Sequence, residues 1–343
     1  MTPDRDPVAA VGPVGPAALR AVVRQQEFRS ALRSGQLVLH YMPIVDLNTG
    51  RTRGVEALIR WQHPQGGLLL PDDFLPAIAH TPVIRETTRW VLHAACEALR
   101  RWPDWSVSVN VSARDVTDPE LVTEVSEAIA EHGLDPRRLI LELTEHAVVS
   151  DLGVATQVLS RLRELGVGLS LDDFGTGYSS LLYLRELPLT EVKIDRTFVT
   201  NLTSRPDDAA IVESVVRLAK TVGLKVVAEG VANAEQAAHL RTLGCGAAQG
   251  FLWGPPRSAV DMDTDSFDTW RPTTDVKRRS TRKPLPTPSE AVGARIRALE
   301  EVGASLHTIA AALNGEGLMT SKGTRWTSIS VARAVTALPR VVR

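Results

Sequence analysis

The chain has 343 residues, of which 43% are hydrophobic and 23% are charged, and this composition excludes global disorder, collagen and coiled coil. Two cysteines, Cys96 and Cys245, are too few for a disulfide framework or a cysteine-rich zinc site. No apolar run approaches the roughly 18 residues of a membrane span, and the N-terminus lacks an apolar signal core. We therefore expect a cytoplasmic protein without membrane contact. The net charge of −1 hides an asymmetry, because residues 271–343 carry 13 Lys or Arg and 5 Asp or Glu, and the rest of the chain is acidic.

The predicted elements begin with residues 1–27, which we expect to form a disordered N-terminus, over about residues 1–18, and the start of a short helix around 21–33. Two strands are predicted next, at 37–47 and 54–61. Short apolar runs that end in a polar residue then alternate with helix-period segments. These runs lie at 106–112, 138–145, 166–175, 190–198, 224–231 and 246–254. Apolar strands that alternate with helices indicate a parallel sheet covered by helices. The pattern predicts an α/β fold, a (β/α)8 TIM-like barrel over residues 28–270.

The basic C-terminal part follows a change in composition after Trp270. Residues 271–288 are rich in Pro, Thr and basic side chains, which predicts a linker. Residues 289–343 return to helical periodicity and predict a small, helix-turn-helix-like helical appendage. Ser289 and Ser305 are expected to cap its first two helices, and a third is expected over about 328–338. The apolar faces of the first two helices are predicted to be Val292, Ile296 and Leu299, then Leu306, Ile309, Ala310 and Leu313.

Polar residues stand at the carboxyl ends of the predicted strands, where barrels of this kind carry their active sites. They are Glu56, Asn110, Glu142, Asp172, Asp173, Lys193, Glu229 and Gln249. An acidic residue after a strand often only caps the next helix, but six strands that end this way at barrel spacing favour one shared site. The eight histidines are scattered and are more typical of surface or packing residues than of metal ligands.

Five carboxylates at one rim raise one another's pKa, so bound cations are expected. Carboxylate and amide oxygens suit Mg²⁺ or Mn²⁺, whereas zinc prefers His or Cys. Two such ions bridged by an aspartate form a phosphoryl-transfer site, and the pair Asp172 and Asp173 can serve both ions from one loop. Lys193 alternates with Val192 and Ile194, so it is predicted to point into the barrel, where it needs carboxylates around it.

Seven motifs, in order, resemble the EAL-domain cyclic di-GMP phosphodiesterases. They are VEALIRW (55–61), NVS (110–112), ELTE (142–145), DDFGTGYSSL (172–181), KID (193–195), AEGV (228–231) and AQGFLWGPP (248–256). The resemblance covers about residues 28–257. It implies metal-dependent hydrolysis of cyclic di-GMP to linear pGpG, two Mg²⁺ or Mn²⁺ ions, a homodimer formed through the barrel, and one antiparallel strand, expected near 37–47.

The resemblance also implies roles for individual residues. The metal ligands it implies are Glu56, Asn110, Glu142, Asp172, Asp173 and Glu229. The residues implied to act in catalysis are Lys193, which contacts the catalytic water, Glu229, Glu56 and Asp172. The implied substrate contacts are Arg60, Gln249, Met42 and Pro43. Glu145 is implied to fix the loop at about 174–182, which takes part in dimerisation and metal binding.

Three positions depart from the family pattern. Met42 replaces a common glutamine, Ala79 a usual glutamate, and Pro82 a common glycine. These departures concern substrate affinity, since each metal ligand is retained. The alternative is a catalytically weak cyclic di-GMP receptor coupled to a tail that binds DNA or a protein, and the complete ligand set favours the enzyme.

The C-terminal segment 303–335 resembles, more weakly, a helical part of the DNA-binding "recombinase" region of large serine recombinases. The shared pattern is a helix ending in Leu-Asn, a Gly-rich turn ending in Gly-x-x-Trp-Thr, and another helix. This resemblance implies a DNA partner, with Lys322, Arg325 and Arg333 at phosphates. The alternative is a basic helical tail that dimerises or binds a protein.

Overall fold

The computed structural model of the chain describes residues 16–144, 151–174, 180–264, 290–301, 304, 306–320, 325–327, 330–331 and 334–335. The chain divides into two compact units, Met1–Thr273 and Thr274–Arg343. The predicted borders of the linker at 271 and 288 fall outside the described residues and stay predictions. In the part of the chain that the structure describes, no helix is long and apolar enough to cross a membrane.

The first unit is built on one sheet. Its strands are β1 Leu37–Asp46, β2 Thr52–His63, β3 Gly67–Leu69, β4 Ser106–Asn110, β5 Leu139–Thr144, β6 Gly168–Phe174, β7 Glu191–Ile194, β8 Lys225–Ala228 and β9 Ala247–Gln249. The ring runs β1-β9-β8-β7-β6-β5-β4-β2 and closes by pairing β2 with β1, while β3 extends β2 as a hairpin. Strand β1 is antiparallel to both its neighbours, and the other ring pairs are parallel. The predicted barrel with one antiparallel strand is confirmed.

The helices of the first unit lie before, between and after these strands along the chain. They are α1 Pro16–Arg33, α2 Pro71–Ile78, α3 Val83–Leu99, α4 Ala113–Val116, α5 Glu120–His132, α6 Leu152–Glu164, α7 Ser180–Glu186, α8 Arg196–Thr200, α9 Pro206–Thr221, α10 Ala234–Leu243 and α11 Ala259–Thr264. Helix α1 begins at Pro16, so residues 16–18 are helical although disorder was expected. Proline suits the first position of a helix, and the Ala-Ala-Leu-Arg that follows has high helix propensity.

Strand alternation separates the core from the site. Val107 and Val109 of β4 are buried in the main hydrophobic core, so Ser108 and Asn110 fall on the opposite face of the strand. A separate small apolar cluster of Ile44, Val227 and Ala247 comes from β1, β8 and β9. The barrel therefore turns apolar residues towards the helices, and it can carry polar residues inside.

The second unit has its own small core. Helices α12 Glu290–Glu301 and α13 Leu306–Gly315 are followed by helical positions at 330–331 and 334–335, within the predicted third helix. The buried residues of this core are Val292, Ile296, Ile309, Ala310, Leu313, Trp326, Val331 and Ala334, with Leu299 partly buried against them.

Two details of the second unit differ from the expected helix pattern. Leu306 is 38% exposed, because it is the first residue of α13 and helical side chains tilt towards the N-terminus, beyond the packed turn. Asn314 does more than stop the helix, since its side chain accepts from Trp326 N–H (2.8 Å) and donates to Trp326 O (2.9 Å). The expected caps Ser289 and Ser305 lie outside the described residues.

Candidate active site at the carboxyl ends of the barrel strands

Lys193 of β7 lies at the centre of the site. Its flanking residues Val192 and Ile194 belong to the main core, so the lysine points into the barrel, where it is 1% exposed. Four carboxylates surround its ammonium group. The distances from Nζ are 2.7 Å to Glu142 Oε2, 2.7 Å to Glu229 Oε1, 3.3 Å to Asp172 Oδ1 and 3.5 Å to Glu56 Oε2. The carboxylates expected around an inward lysine are present.

Two amide side chains hold the carboxylates in place. Asn110 at the end of β4 donates from Nδ2 to Glu56 Oε1 at 2.9 Å. Gln249 at the end of β9 donates from Nε2 to Glu56 Oε2 at 2.7 Å and to Glu229 Oε1 at 2.8 Å. Glu56 thus accepts from three donors, which come from β4, β7 and β9, and its position is fixed from three sides.

The position of Gln249 depends on a close approach between the backbone after β9 and the backbone after β8. Gly250 has φ +156°, and a Cβ at this position would lie 2.2 Å from the Val231 carbonyl oxygen. Because glycine allows this contact, Val231 N–H donates to Gln249 O at 3.1 Å and ties the loop after β8 to β9. The glycine of the AQG motif therefore positions the Gln249 side chain.

The two neighbouring aspartates are separated by a bulge. The pairing of β6 with β7 shifts register between Leu171 and Phe174, and Asp173 adopts φ +56°, in the left-handed region. Asp173 N–H donates to Asp172 Oδ1 at 3.0 Å. Oxygens of Asp172, Asp173 and Glu229 lie within 4.8 Å of one another, as in a group that could hold a metal ion. A bulge of this kind re-aims side chains, which is how one short segment presents two successive carboxylates to one place.

The three glutamates around Lys193 have unequal affinities for protons. Burial lowers the pKa of Lys193, but the charges of Glu142, Glu56, Glu229 and Asp172 outweigh burial and hold this pKa well above its usual value. Burial raises the pKa of Glu142 well above normal, and raises that of Glu229 to about 8, against the opposing effect of Lys193. Burial also raises the pKa of Asp173, followed by the charge of Asp172.

Glu56 differs from Glu142 although both are buried beside Lys193. The pKa of Glu56 is lowered, because Lys193 and the hydrogen bonds from Gln249 and Asn110 outweigh burial. By contrast, Glu142 Oε1 is buried and has no hydrogen-bond partner among the described residues. Hydrogen bonds to a carboxylate favour its charged form, so the amide donors account for the difference. One lysine is insufficient to neutralise the whole cluster.

The residues present fit divalent cations. Buried polar atoms are nearly always partnered, yet in the part of the chain that the structure describes no donor reaches Glu142 Oε1 or Gln249 Oε1. Every candidate ligand at the site offers oxygen, the donor that Mg²⁺, Mn²⁺ and Ca²⁺ prefer. The excess negative charge and the unpartnered oxygens therefore match a cation site rather than a closed salt-bridge network.

The expected substrate contacts on β1 and β2 do not all lie on the same face of the sheet. Arg60 lies four residues beyond Glu56 on the same face of β2, is 7% exposed, and donates from Nη1 to Ile59 O at 2.8 Å. Met42 pairs directly with Glu56 across β1 and β2, so the two share a face. Pro43 is the next residue and falls on the opposite face of β1. Glu145 lies outside the described residues.

One residue of the site was missed. Asp195 is 8% exposed and follows β7. It accepts from Thr197 N–H at 2.8 Å to cap α8, and it contributes to the raised pKa of Asp173. The rule that polar residues follow strands applies to Asp195 as well, but on this strand the sequence pattern selects Lys193.

Comparison with known proteins gives consistent matches. A family model described as the EAL domain matches residues 25–256. MucR of Pseudomonas aeruginosa, a bifunctional diguanylate cyclase/cyclic di-GMP phosphodiesterase, is 48% identical over 241 residues, 69% of this chain and 35% of MucR. NbdA of the same organism, a cyclic di-GMP phosphodiesterase, is 42% identical over 244 residues, 70% of this chain and 31% of NbdA.

A solved structure agrees with these sequence matches. The PaMucR phosphodiesterase in its c-di-GMP complex is 46% identical, with a TM-score of 0.66, and the match covers 70% of this chain and 99% of that one. The chain spans about a third of the length of the curated relatives MucR and NbdA. The similarity therefore concerns the barrel, and it includes the strand ends that carry the site.

Proposed function

This chain belongs to the EAL domain family, and from that premise we propose that it hydrolyses cyclic di-GMP to linear pGpG with two Mg²⁺ or Mn²⁺ ions. The observation that carries the proposal is the convergence of one lysine, two amides and five carboxylates at the carboxyl ends of the strands. The names of the relatives MucR and NbdA support the substrate. The residues proposed to hold the ions are Glu56, Asn110, Glu142, Asp172, Asp173 and Glu229.

Bound divalent ions supply positive charge beside a transferring phosphoryl group and lower the pKa of water. The protein residues provide the remaining parts of the site. Arg60 is proposed to pair with a substrate phosphate. Glu229 receives hydrogen bonds at Oε1 from Lys193 and Gln249. Burial raises its pKa, so Oε2 would accept a proton from the attacking water once bound cations hold the carboxyl in its charged form. Lys193 orients that water by donating from Nζ.

The alternative is a catalytically weak receptor that binds the same dinucleotide. A receptor needs the substrate contacts but has no need of ion ligands. The complete set of carboxylates and amides around Lys193 therefore favours the enzyme. A homodimer and a cytoplasmic location remain predictions from the sequence.

The metal requirement tests the proposal. Purified protein stripped of metal should be inactive towards cyclic di-GMP, regain turnover with Mg²⁺ or Mn²⁺, and be inhibited by Ca²⁺. The reason is that Ca²⁺ takes more and longer oxygen bonds and distorts a compact two-ion arrangement. Product formation is followed by chromatography with each ion. Tight binding without product in every divalent ion would support the receptor.

We infer a separate role for the second unit, as a module that contacts DNA or a protein. Its own core around Trp326 and the surplus of basic residues in 271–343 support a folded binding module. Of the three basic residues expected at phosphates, Arg325 is described and exposed, while Lys322 and Arg333 lie outside the described residues. DNA is the first partner to test, since phosphates attract basic surfaces.

DNA binding by this module should depend steeply on salt, because phosphate contacts release counterions. In a mobility-shift titration, the full chain should bind duplex DNA at low salt and lose about tenfold or more in affinity when salt is raised fourfold. A chain ended at Thr273, which keeps the acidic unit, is the matched control and should not bind. Absence of binding by the full chain at low salt would assign the module to a protein partner.

A further inference from the structure

A cluster of two histidines and a glutamate lies away from the barrel mouth, between helices α3 and α5. His93 belongs to α3, while Glu131 and His132 are the last two residues of α5. Each offers one ligand atom, and these atoms lie within 4.8 Å of one another. His93 Nδ1 is 3.1 Å from Glu131 Oε2, and the two imidazole rings meet edge to face with centroids 5.8 Å apart.

The cluster lies at the end of a series of ion pairs that link the two helices. Arg85 of α3 contacts Glu124 at 3.2 Å, and Arg89 contacts Glu127 at 3.6 Å. His93 follows Arg89 by four residues, on the same stripe of α3, and faces Glu131. An arginine there would repeat the pattern of the first two pairs. His93 instead places an imidazole, whose nitrogen can be neutral and bind a metal ion, beside a second imidazole.

The hydrogen bonding of both histidines is incomplete. Nε2 of His93 and Nε2 of His132 are buried, and neither has a hydrogen-bond partner among the described residues. A buried nitrogen without a partner costs free energy, and coordination to a metal is one way in which an imidazole nitrogen is satisfied. The cluster also lies at the carboxyl end of α5, which Gly133 ends in the left-handed conformation, and the helix dipole favours a cation there.

We propose that His93, Glu131 and His132 form a binding site for a divalent transition-metal ion of the zinc class, which clamps α3 to α5. Two imidazoles with one carboxylate suit Zn²⁺, whereas Mg²⁺ prefers a set of oxygen ligands alone. In tetrahedral zinc sites the bonds of about 2.0–2.1 Å place ligand atoms about 3.3 Å apart. Small side-chain rotations therefore close the present cluster around an ion, and water completes the coordination. The site is separate from the oxygen-only cluster of the barrel mouth.

Thermal unfolding of the full chain with Zn²⁺ tests this site, in excess Mg²⁺ to occupy the barrel mouth. Zinc at a hundred times its dissociation constant should raise the Tm by about 5 °C or more. Elemental analysis after dialysis should find one zinc ion per chain more than in H132Q. The variants H93Q and H132Q should lose the Tm rise. If one of them folds poorly, the other still tests the site.

The chain offers a matched control. His63 Nε2 lies 3.2 Å from Glu27 Oε1, a histidine–glutamate pair that is not part of any metal-holding group found among the described residues. H63Q should therefore keep the full response to zinc. The proposal is overturned if H93Q and H132Q respond to zinc like the unaltered chain. It is also overturned if the response is abolished by D173N at the barrel mouth and kept by H132Q.

Discussion

Replacing Glu56 by glutamine is expected to lower the rate of cyclic di-GMP hydrolysis by about 10²–10³-fold, the usual loss when a preorganised electrostatic group is removed. Glu56 accepts hydrogen bonds at Oε1 from Asn110 and at Oε2 from Gln249. A glutamine has one acceptor oxygen and one NH₂ group, so one of these two donors would face another donor. The substitution also removes a negative charge that we propose binds a cation.

The loss in E56Q should appear in kcat. Steady-state hydrolysis measured with saturating Mg²⁺ separates kcat from KM. E86Q is the matched control, because Glu86 forms an exposed ion pair with Arg29 at 2.6 Å and should leave hydrolysis unchanged. If E56Q kept more than about a tenth of the activity, the position of Glu56 at the reacting centre would be wrong.

Replacing Lys193 by methionine is expected to have two large effects. The substitution leaves Glu142, Glu229, Asp172 and Glu56 without their shared cation. Removing one partner from a buried ion pair typically costs about 3–5 kcal/mol, so K193M should unfold at lower urea in EDTA. Divalent ions should restore part of this stability, because they neutralise the same carboxylates.

Activity gives the second measurement on K193M. Turnover should fall more than binding, because the orientation of water matters more in the transition state than in the ground state. K225M is the control, since Lys225 is an exposed lysine at the start of β8, and its replacement should change stability by less than about 0.5 kcal/mol. Equal stability of K193M and unaltered protein in EDTA would contradict the arrangement of charges described here.

Much of the barrel follows from local sequence patterns. The run 106–112 alternates valine with polar residues, and the run 224–231 is largely apolar. Both patterns predict strands, because alternation gives a strand one apolar face and a continuous run gives it two. The carboxyl ends of the parallel strands lie at one rim of the barrel. Strand spacing alone therefore predicts that Asn110 and Glu229, which end or follow two of these strands, lie at the same rim. The inward direction of Lys193 follows from its apolar neighbours in the strand.

Other features depend on contacts that spacing does not determine. The left-handed backbone of Asp173 comes from a bulge between β6 and β7, and a bulge is a matter of register between two strands. The different pKa values of Glu56 and Glu142 depend on which amide reaches which oxygen. His93 and His132 are 39 residues apart in the sequence, and only the packing of α3 against α5 brings them together.

The most direct test of the central claim is the fate of cyclic di-GMP incubated with the purified chain. After incubation with Mg²⁺ or Mn²⁺, chromatography and mass spectrometry should show linear pGpG as the product, and E56Q under the same conditions should return the cyclic dinucleotide. If the unaltered chain binds cyclic di-GMP but returns it uncleaved with either ion, the proposed hydrolysis is contradicted and the receptor alternative is supported.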